Sequence, residues 1–240
     1  MLYLIGLGLN EKGISLEGLE ALKKCDKVYL EGYTVDFPYS LEKLEKVLEN
    51  KIIKLGRSEI ESDRLVKEAK AENIALLVYG CPLFATTHMT LLLDSKNEKV
   101  KTQIIYSASV FDAIAQSGLQ LYKFGKISSM PKWQKNFEPD SFLDFVIQNK
   151  SIGAHSLILI DIGLDFDNAL EQFEKSIETK KVKINKLLVC SSVGTSKSKI
   201  VYGKLEDLRM KAGKIELPYC FIIPGETHFM EKDALDEFEV

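Results

Sequence analysis

The sequence has few of the residues that build metal sites and disulfide frameworks. Of its 240 residues, four are cysteine and three are histidine. No Cys-x-x-Cys pair occurs, and the histidines share no metal-ligand spacing with one another or with the cysteines, which argues against zinc. Each cysteine lies in or beside an apolar segment, so the simplest interpretation is four reduced thiols in a reducing compartment.

Long apolar runs and an excess of positive charge are also missing. The longest apolar stretches, such as residues 74–79, are far too short to span a bilayer. The N-terminus lacks the basic segment of a signal peptide. The formal net charge is −3, so the chain has no basic field to hold a nucleic-acid backbone. We therefore expect a cytoplasmic protein that binds neither membranes nor nucleic acid.

What the chain does have is the pattern of a folded α/β protein. Hydrophobic residues make up 45% and charged residues 28%, which excludes intrinsic disorder, collagen and disulfide scaffolds. In the first half, short β-rich apolar runs alternate with amphipathic stretches, which predicts βαβ units and a mainly parallel sheet. The second half predicts α/β structure with at least one hairpin, across the turn at residues 194–196.

The predicted strands cover residues 2–6, 27–31, 51–55, 74–79, 102–106, 156–161, 186–190, 199–203 and 219–223. The predicted helices cover residues 16–25, 41–49, 59–71, 87–95, 109–117, 141–149 and 167–178. No linker is rich in glycine, serine or proline, so two domains would join over a short segment. We predict an N-terminal α/β domain at residues 1–118 and a C-terminal α/β domain at residues 119–240.

Small residues follow several predicted strands. The first strand runs into Gly6-Leu7-Gly8, but the third glycine of a dinucleotide-binding turn is replaced by Glu11. A tight turn is therefore favoured over dinucleotide binding, for which Glu31 would be the acidic ribose ligand. Because strand ends line the ligand crevices of open α/β sheets, the turns together predict a binding site. The other turns lie at residues 79–88, 107–110, 160–163, 190–194 and 222–228.

No catalytic arrangement stands out among these turns. A Walker loop, a nucleophile elbow and a Ser-His-Asp order are all missing. Cys81 has no base beside it, and His88 is more simply a hydrogen-bonding residue at a helix start. Thr86 or Thr87 is expected to cap that helix. We expect no dedicated catalytic residue, a pattern that fits a reaction needing little protein chemistry.

The opening Met-Leu-Tyr-Leu-Ile-Gly-Leu-Gly-Leu closely resembles that of the diphthine synthases, in the tetrapyrrole methylase superfamily. Residues 23–26 and 31–34 are similar to that family's continuation, and Pro-Leu-Phe-Ala-Thr-Thr-His at residues 82–88 is its most specific block. The segments 122–126, 159–162 and 223–225 follow in order. The resemblance therefore covers nearly the whole chain.

This resemblance implies a tetrapyrrole-methylase-like fold of two α/β domains. S-adenosyl-L-methionine would lie in the cleft between them and leave as S-adenosyl-L-homocysteine. The family repeatedly methylates the amino group of a 3-amino-3-carboxypropyl-modified histidine of elongation factor 2, giving diphthine in diphthamide biosynthesis, usually as a homodimer. By matching motifs, the cofactor-binding residues would be Leu9, Cys81, Phe84, Ser109, Val110, Ile160, Val193 and Tyr219.

Three positions depart from the family pattern. Cys81 stands where the family usually has the aspartate of Gly-Asp-Pro. Ser192 lies in a turn whose sequence in the family is usually similar to Ala-Arg-Ala-Gly, and Tyr219 stands where the family frequently has a histidine. The role of Asp161, a ligand contact or a loop acid, stays open, as does docking of a protein substrate by Lys123, Lys126 or Lys132. The alternative functions are a related tetrapyrrole-type small-molecule methyltransferase and a non-catalytic dinucleotide-binding or interaction module.

Overall fold

Two five-stranded sheets organise the chain, one in each of two units, Met1–Val110 and Phe111–Val240. The computed structural model describes all 240 residues. The domain boundary expected near residue 118 stays a prediction. The longest helix has 15 residues, and no helix is both long and apolar enough to cross a membrane.

The first unit, unit 1, contains strands β1 to β5 and helices α1 to α5. The strands are β1 Leu2–Gly6, β2 Lys27–Glu31, β3 Ile53–Leu55, β4 Ile74–Val78 and β5 Thr102–Ile105. The helices are α1 Leu16–Leu22, α2 Leu41–Leu48, α3 Arg57–Ile60, α4 Arg64–Glu68 and α5 Met89–Asn97. The sheet order is β3-β2-β4-β1-β5, and every neighbouring pair is parallel.

The central strands of unit 1 are buried on both faces. Leu2 and Leu4 pack into one hydrophobic cluster, whereas Tyr3 and Ile5 pack into another. Successive side chains of a strand point to opposite faces, so β1 supplies both clusters. This explains why β1 and β4 read as continuous apolar runs rather than as alternating patterns.

The second unit, unit 2, contains strands β6 to β10. The strands are β6 Ser128–Met130, β7 Ser156–Ile160, β8 Leu187–Ser191, β9 Lys199–Gly203 and β10 Tyr219–Ile223. The helices are α6 Val110–Ala113, which crosses the unit boundary, α7 Phe142–Ser151, α8 Phe166–Lys180, α9 Leu205–Lys211 and α10 Phe229–Asp236. The sheet order is β6-β7-β10-β8-β9, and only the β6–β7 pair is parallel.

A single aromatic-rich core fills unit 2. The ring of Phe173 lies 5.6 Å from that of Phe221 and 6.2 Å from that of Phe142. Cys190 of β8 and Cys220 of β10 stand opposite each other in register, and both are buried. All four cysteines are free thiols.

The parallel sheet of unit 1 and the β8–β9 hairpin confirm the main sequence predictions, but two predicted helices are wrong. Residues 59–71 are divided between α3 and α4 instead of forming one helix, because the chain leaves helical geometry at Glu61, with a φ of −77° and a ψ of 0°, and resumes it at Arg64. Residues 109–117 form the short α6 and a 3₁₀ turn, Ile114–Ser117, that ends at Gly118 with a φ of +80°. The short β6 and helices α9 and α10 were not predicted.

Candidate active site

In unit 1, the loops that follow β1, β4 and β5 meet at one edge of the sheet. These strands run parallel with β1 in the middle, so their carboxyl ends share that edge. Gly8 and Gly80 pair across the edge: the Gly8 amide donates to the Gly80 carbonyl at 3.3 Å, and the Gly80 amide donates back at 2.9 Å. Both residues have a positive φ, +66° and +69°, which favours glycine.

The loops pack so closely that side chains are excluded at the Gly-x-Gly turn. A Cβ atom at Gly6 would lie 2.6 Å from the Gly80 carbonyl oxygen, and one at Gly8 would lie 2.8 Å from the Gly13 carbonyl oxygen. The Ser107 hydroxyl from the third loop donates to the same Gly13 carbonyl at 2.8 Å. Contacts between backbone segments of the chain thus account for both glycines of the motif.

An aromatic cluster that the sequence analysis missed stands at the same edge. The Phe37 ring lies 5.3 Å from that of Tyr79 and 5.5 Å from that of Tyr39. The Tyr79 hydroxyl donates to the Leu9 carbonyl at 3.1 Å and so fixes the loop after β1. Burial raises the pKa of both tyrosines well above the usual range, which keeps them protonated. The signal available in the sequence was aromatic residues following β2 and β4, which are neighbours in the sheet.

The acid at the end of β2 is committed to its own loop. Glu31 is fully buried, and its two carboxylate oxygens accept hydrogen bonds from the Tyr33 amide at 3.2 Å and the Thr34 hydroxyl at 2.6 Å. Because the side chain is fully buried, a ribose hydroxyl would not reach the carboxylate without a rearrangement of this loop. This burial argues against the dinucleotide-binding interpretation, which relied on Glu31.

The loop between β4 and α5 is folded around the carbonyl oxygen of Pro82. The Thr86 hydroxyl donates to it at 3.2 Å, and Nδ1 of the buried His88 ring donates to it at 2.9 Å. Since a carbonyl only accepts, Nδ1 carries the proton, and Nε2 is left buried without a partner. The hydrogen-bonding role of His88 is confirmed, whereas a cap from Thr86 or Thr87 is wrong, because α5 begins at Met89 without a side-chain cap.

Five residues predicted to bind the cofactor follow β1, β4 or β5, whose loops the structure brings together. Leu9 and Ser109 are buried, and Cys81, Phe84 and Val110 are half-buried. The Cys81 thiol is free, and no basic side chain hydrogen bonds to it, so it has no activating base. The part that each residue plays in cofactor binding stays a prediction.

The other three predicted residues meet at one edge of the unit 2 sheet. Ile160 ends β7, Val193 follows the end of β8, and Tyr219 begins β10 opposite Ser191. The Tyr219 ring is buried, and its hydroxyl donates to the Leu164 carbonyl at 2.8 Å. Its hydroxyl is therefore committed within unit 2, which leaves backbone and ring atoms for other contacts.

Asp161 is a loop acid in this structure. Its carboxylate accepts hydrogen bonds from the Lys132 amide and the Ile162 amide, both at 2.9 Å. The Lys132 ammonium donates to the Gly163 carbonyl at 3.1 Å, and that of Lys126 donates to Gln148 at 2.9 Å. These contacts hold Lys126 and Lys132, two of the three lysines considered for substrate docking, against the surface of unit 2.

The third lysine belongs to a buried ionic cluster around Glu231. The Lys123 ammonium donates to the Glu231 carboxylate, which is 1% exposed. Nε2 of the buried His155 donates to the same carboxylate at 2.9 Å, and Nδ1 of His155 accepts from the Gly225 amide at 2.8 Å. The His155 ring is thus neutral, with its proton on Nε2. Burial lowers the pKa of His155, against the opposing effect of Glu231.

No group of three or more histidine, cysteine, aspartate or glutamate side chains could hold a metal ion.

Comparison with known proteins decides the family. Residues 1–209 match the family model of the Tetrapyrrole (Corrin/Porphyrin) Methylases. The chain belongs to the tetrapyrrole methylase family. Its membership identifies it as a methyltransferase and confirms the predicted fold class.

Within the tetrapyrrole methylases, the chain is similar to proteins of diphthine synthesis. It is 38% identical to the diphthine synthase of Methanocaldococcus jannaschii over an alignment covering 98% of this chain and 97% of that protein. The diphthine methyl ester synthase of Schizosaccharomyces pombe is 44% identical over 68% of this chain and 58% of its own length. The crystal structure of a provisionally named diphthine synthase from Entamoeba histolytica matches 100% of this chain and 98% of its own, with a TM-score of 0.89 and 33% identity.

Two of the departures from the tetrapyrrole methylase pattern have internal structural roles. Ser192 has a φ of +47°, its amide donates to the Pro218 carbonyl at 2.8 Å, and its hydroxyl donates to the Leu217 carbonyl at 3.4 Å. With the Tyr219 hydroxyl also engaged, the side-chain polar groups at both positions serve unit 2 itself. Cys81 is the one departure whose side chain remains uncommitted.

Proposed function

We propose that the chain is an S-adenosyl-L-methionine-dependent diphthine synthase. It methylates, repeatedly, the amino group of the 3-amino-3-carboxypropyl-modified histidine of elongation factor 2. The observation that carries this proposal is the 38% identity to a diphthine synthase over 98% of the chain. The structural match at a TM-score of 0.89 over the full chain supports it.

The residues at the unit 1 edge fit the methyl donor. Leu9, Cys81, Phe84 and Val110 are uncharged and mostly apolar, and Ser109 adds one small polar side chain. No lysine or arginine is among the predicted contacts, so none of them would repel a positively charged sulfonium. The bridge between Gly8 and Gly80 holds two of the three loops in a fixed relative position.

Methyl transfer from this donor needs alignment more than acid–base chemistry. S-adenosyl-L-methionine supplies an electrophilic methyl group on a sulfonium with a good leaving group. The chain's task is to hold the reacting atoms about 3–3.5 Å apart and in line. The substrate amine must be uncharged to react, and an apolar lining favours the uncharged form because desolvation lowers the pKa of an amine.

This account needs no general base on the enzyme. Leu9 and Phe84 exclude water, and the loops around Gly8 and Pro82 fix the positions of the backbone. His88 is a positioning residue, because its ring donates to the Pro82 carbonyl and so holds the loop between β4 and α5 in place. S-adenosyl-L-homocysteine is the product left behind.

The proposal also includes a cytoplasmic location and a homodimer. Four free thiols, none in a disulfide, favour a reducing compartment. Apolar side chains exposed on α10, Phe229 at 63% and Met230 at 60%, offer a surface for a second copy of the chain. Light scattering coupled to gel filtration measures the oligomeric state directly.

The deciding experiment is mass spectrometry of elongation factor 2 after incubation with the purified chain and S-adenosyl-L-methionine. We expect methyl groups to be added to the modified histidine, and none to elongation factor 2 that lacks the aminocarboxypropyl group. The same spectra count the methyl groups and show whether the carboxylate is esterified as well.

The alternatives give different results in matched assays. Methylation of a corrin-type precursor but not of elongation factor 2 would indicate the related small-molecule methyltransferase. Calorimetry that detected binding of NAD but not of S-adenosyl-L-methionine would indicate a dinucleotide-binding module instead.

A further inference from the structure

Unit 2 contains a pocket of about 470 Å³ that the proposed function does not use. It lies where β7 and β8 begin and β10 ends, and its lining includes Ser156 and Ile223. The predicted cofactor residues Ile160 and Tyr219 stand at the opposite ends of the same strands. Four residue steps of about 3.3 Å separate the two ends by about 13 Å. The pocket is therefore distinct from the cofactor residues of unit 2.

The lining is basic although the chain as a whole has a net charge of −3. It carries four lysines and one acid: Lys150, Lys183, Lys186, Lys232 and Asp236. The Lys150 ammonium donates to the Lys183 carbonyl at 2.8 Å, and that of Lys186 pairs with Glu239 at 2.6 Å. The ammonium groups of Lys183 and Lys232 have neither a hydrogen bond nor an ion pair. The lining thus holds two unpaired cations and one acid.

The floor of the pocket combines apolar surface with unused hydrogen-bonding groups. Val146, Ile223 and Leu235 are buried beneath it, and the wall includes Tyr202, whose ring centre lies 5.1 Å from the Lys186 ammonium. The hydroxyl of Ser156, a residue that is 2% exposed, accepts a hydrogen bond from Asn149 at 3.0 Å and keeps its own hydrogen to donate. A cavity of this size with an apolar floor and a few polar groups is typical of small-molecule sites.

We propose that this pocket binds a small anionic molecule, one with a phosphate or carboxylate group on an apolar or aromatic body. The anionic group pairs with Lys183 and Lys232, and the Ser156 hydroxyl donates to the ligand. The body packs against Ile223, Leu235 and the ring wall. This inference does not rest on the proposed function, because no residue of the pocket is among the predicted cofactor contacts.

Calorimetry on the full chain saturated with S-adenosyl-L-homocysteine tests the proposal with three probes: phenyl phosphate, phenol and inorganic phosphate. Phenyl phosphate should bind more tightly than phenol or inorganic phosphate, because only phenyl phosphate combines an anionic group with an aromatic ring. In the Lys183→Gln, Lys232→Gln double variant, its affinity should fall by a factor of about 2 to 30, because both ion pairs to the anionic group are lost. Both lysines are exposed, so the variant should fold, which circular dichroism checks.

Lys135→Gln serves as the matched control, because Lys135 is an exposed lysine of unit 2 outside the pocket. Its affinity for phenyl phosphate should equal that of the wild-type chain. Absence of phenyl phosphate binding would overturn the proposal, as would equal binding by the double variant. Binding of an oligoglutamate peptide in place of phenyl phosphate would also overturn it and would indicate a peptide-docking surface.

Discussion

Replacing Glu231 with glutamine should destabilise unit 2 by about 3 kcal/mol. Although burial raises its pKa, hydrogen bonds from Gln120, Lys123, His228 and His155 lower the pKa of Glu231 to about 2, from an ordinary value of 4.5. A shift of that size corresponds to about 3 kcal/mol in favour of the charged folded form. Because the side chain is only 1% exposed, solvent screening reduces this value little. The side-chain NH₂ group of glutamine would also point at N–H groups that now donate to the Glu231 carboxylate, and two donors cannot bond to each other.

Urea unfolding followed by tryptophan fluorescence measures this effect. The chain has one tryptophan, Trp133, and it lies in unit 2, so the signal reports on the unit that contains Glu231. The control is Glu237→Gln, an exposed glutamate at the end of α10 that should change stability by less than about 0.5 kcal/mol.

The pH dependence follows from the sign of the shift. Since the folded pKa of Glu231 is depressed, its contribution is fully present above about pH 4.5 and is lost as the pH falls towards about 2. The difference between wild type and Glu231→Gln should therefore shrink below about pH 4.5. His155, whose pKa is also lowered, adds a loss of stability that begins as the pH falls through its ordinary value of 6.5. A variant as stable as wild type at neutral pH, or a difference that stays constant down to about pH 3, would refute this reasoning.

Three further predictions concern the sites. Gly8→Ala should destabilise unit 1 by about 1–3 kcal/mol, measured by urea unfolding, and should weaken the binding of S-adenosyl-L-homocysteine, measured by calorimetry. Gly163→Ala, also at a positive φ but in open space, should cost only about 1 kcal/mol of stability. Cys81→Asp should tighten S-adenosyl-L-methionine about two- to tenfold without tightening S-adenosyl-L-homocysteine, because only the former carries a sulfonium charge; equal effects on both would contradict this. Tyr219→Phe should cost about 1 kcal/mol of stability, because the Leu164 carbonyl loses its hydrogen-bond donor, and should leave the methyl-transfer rate unchanged. A reduced methyl-transfer rate would show a direct catalytic contact.

Local pattern was enough to predict most of the fold. Strands β1 and β4 are continuous apolar runs, and the hairpin of β8 and β9 turns at a glycine, so both were visible in the sequence. Strand β6 was not, because Ser128-Ser129-Met130 has little strand preference of its own and pairs with β7 through tertiary context. The break between α3 and α4 falls at residues 61–63, where the apolar periodicity gives no sign of it.

The candidate site was predictable only as far as its loops. The turns after β1, β4 and β5 carry small residues that indicate a strand edge, but the hydrogen bond from Ser107 to Gly13 joins residues 94 positions apart. Glu231 lies 76 positions from His155 and 108 from Lys123. Nothing in the local sequence of any of these residues indicates its partner, so such clusters emerge only from the folded chain.

Cys81 is a native attachment point for a spectroscopic label, because each of the other three thiols is either buried or hydrogen bonded. Cys190 and Cys220 are shielded inside the unit 2 sheet, and burial raises the pKa of Cys25 to about 11 while its sulfur donates to the Ala21 carbonyl. Because the thiolate is the reactive form, the raised pKa of Cys25 slows its reaction with a maleimide dye at neutral pH, and burial protects Cys190 and Cys220, which leaves Cys81 as the site of labelling. The wild-type chain could then signal the arrival of a molecule at the unit 1 edge by fluorescence, with no engineered residue.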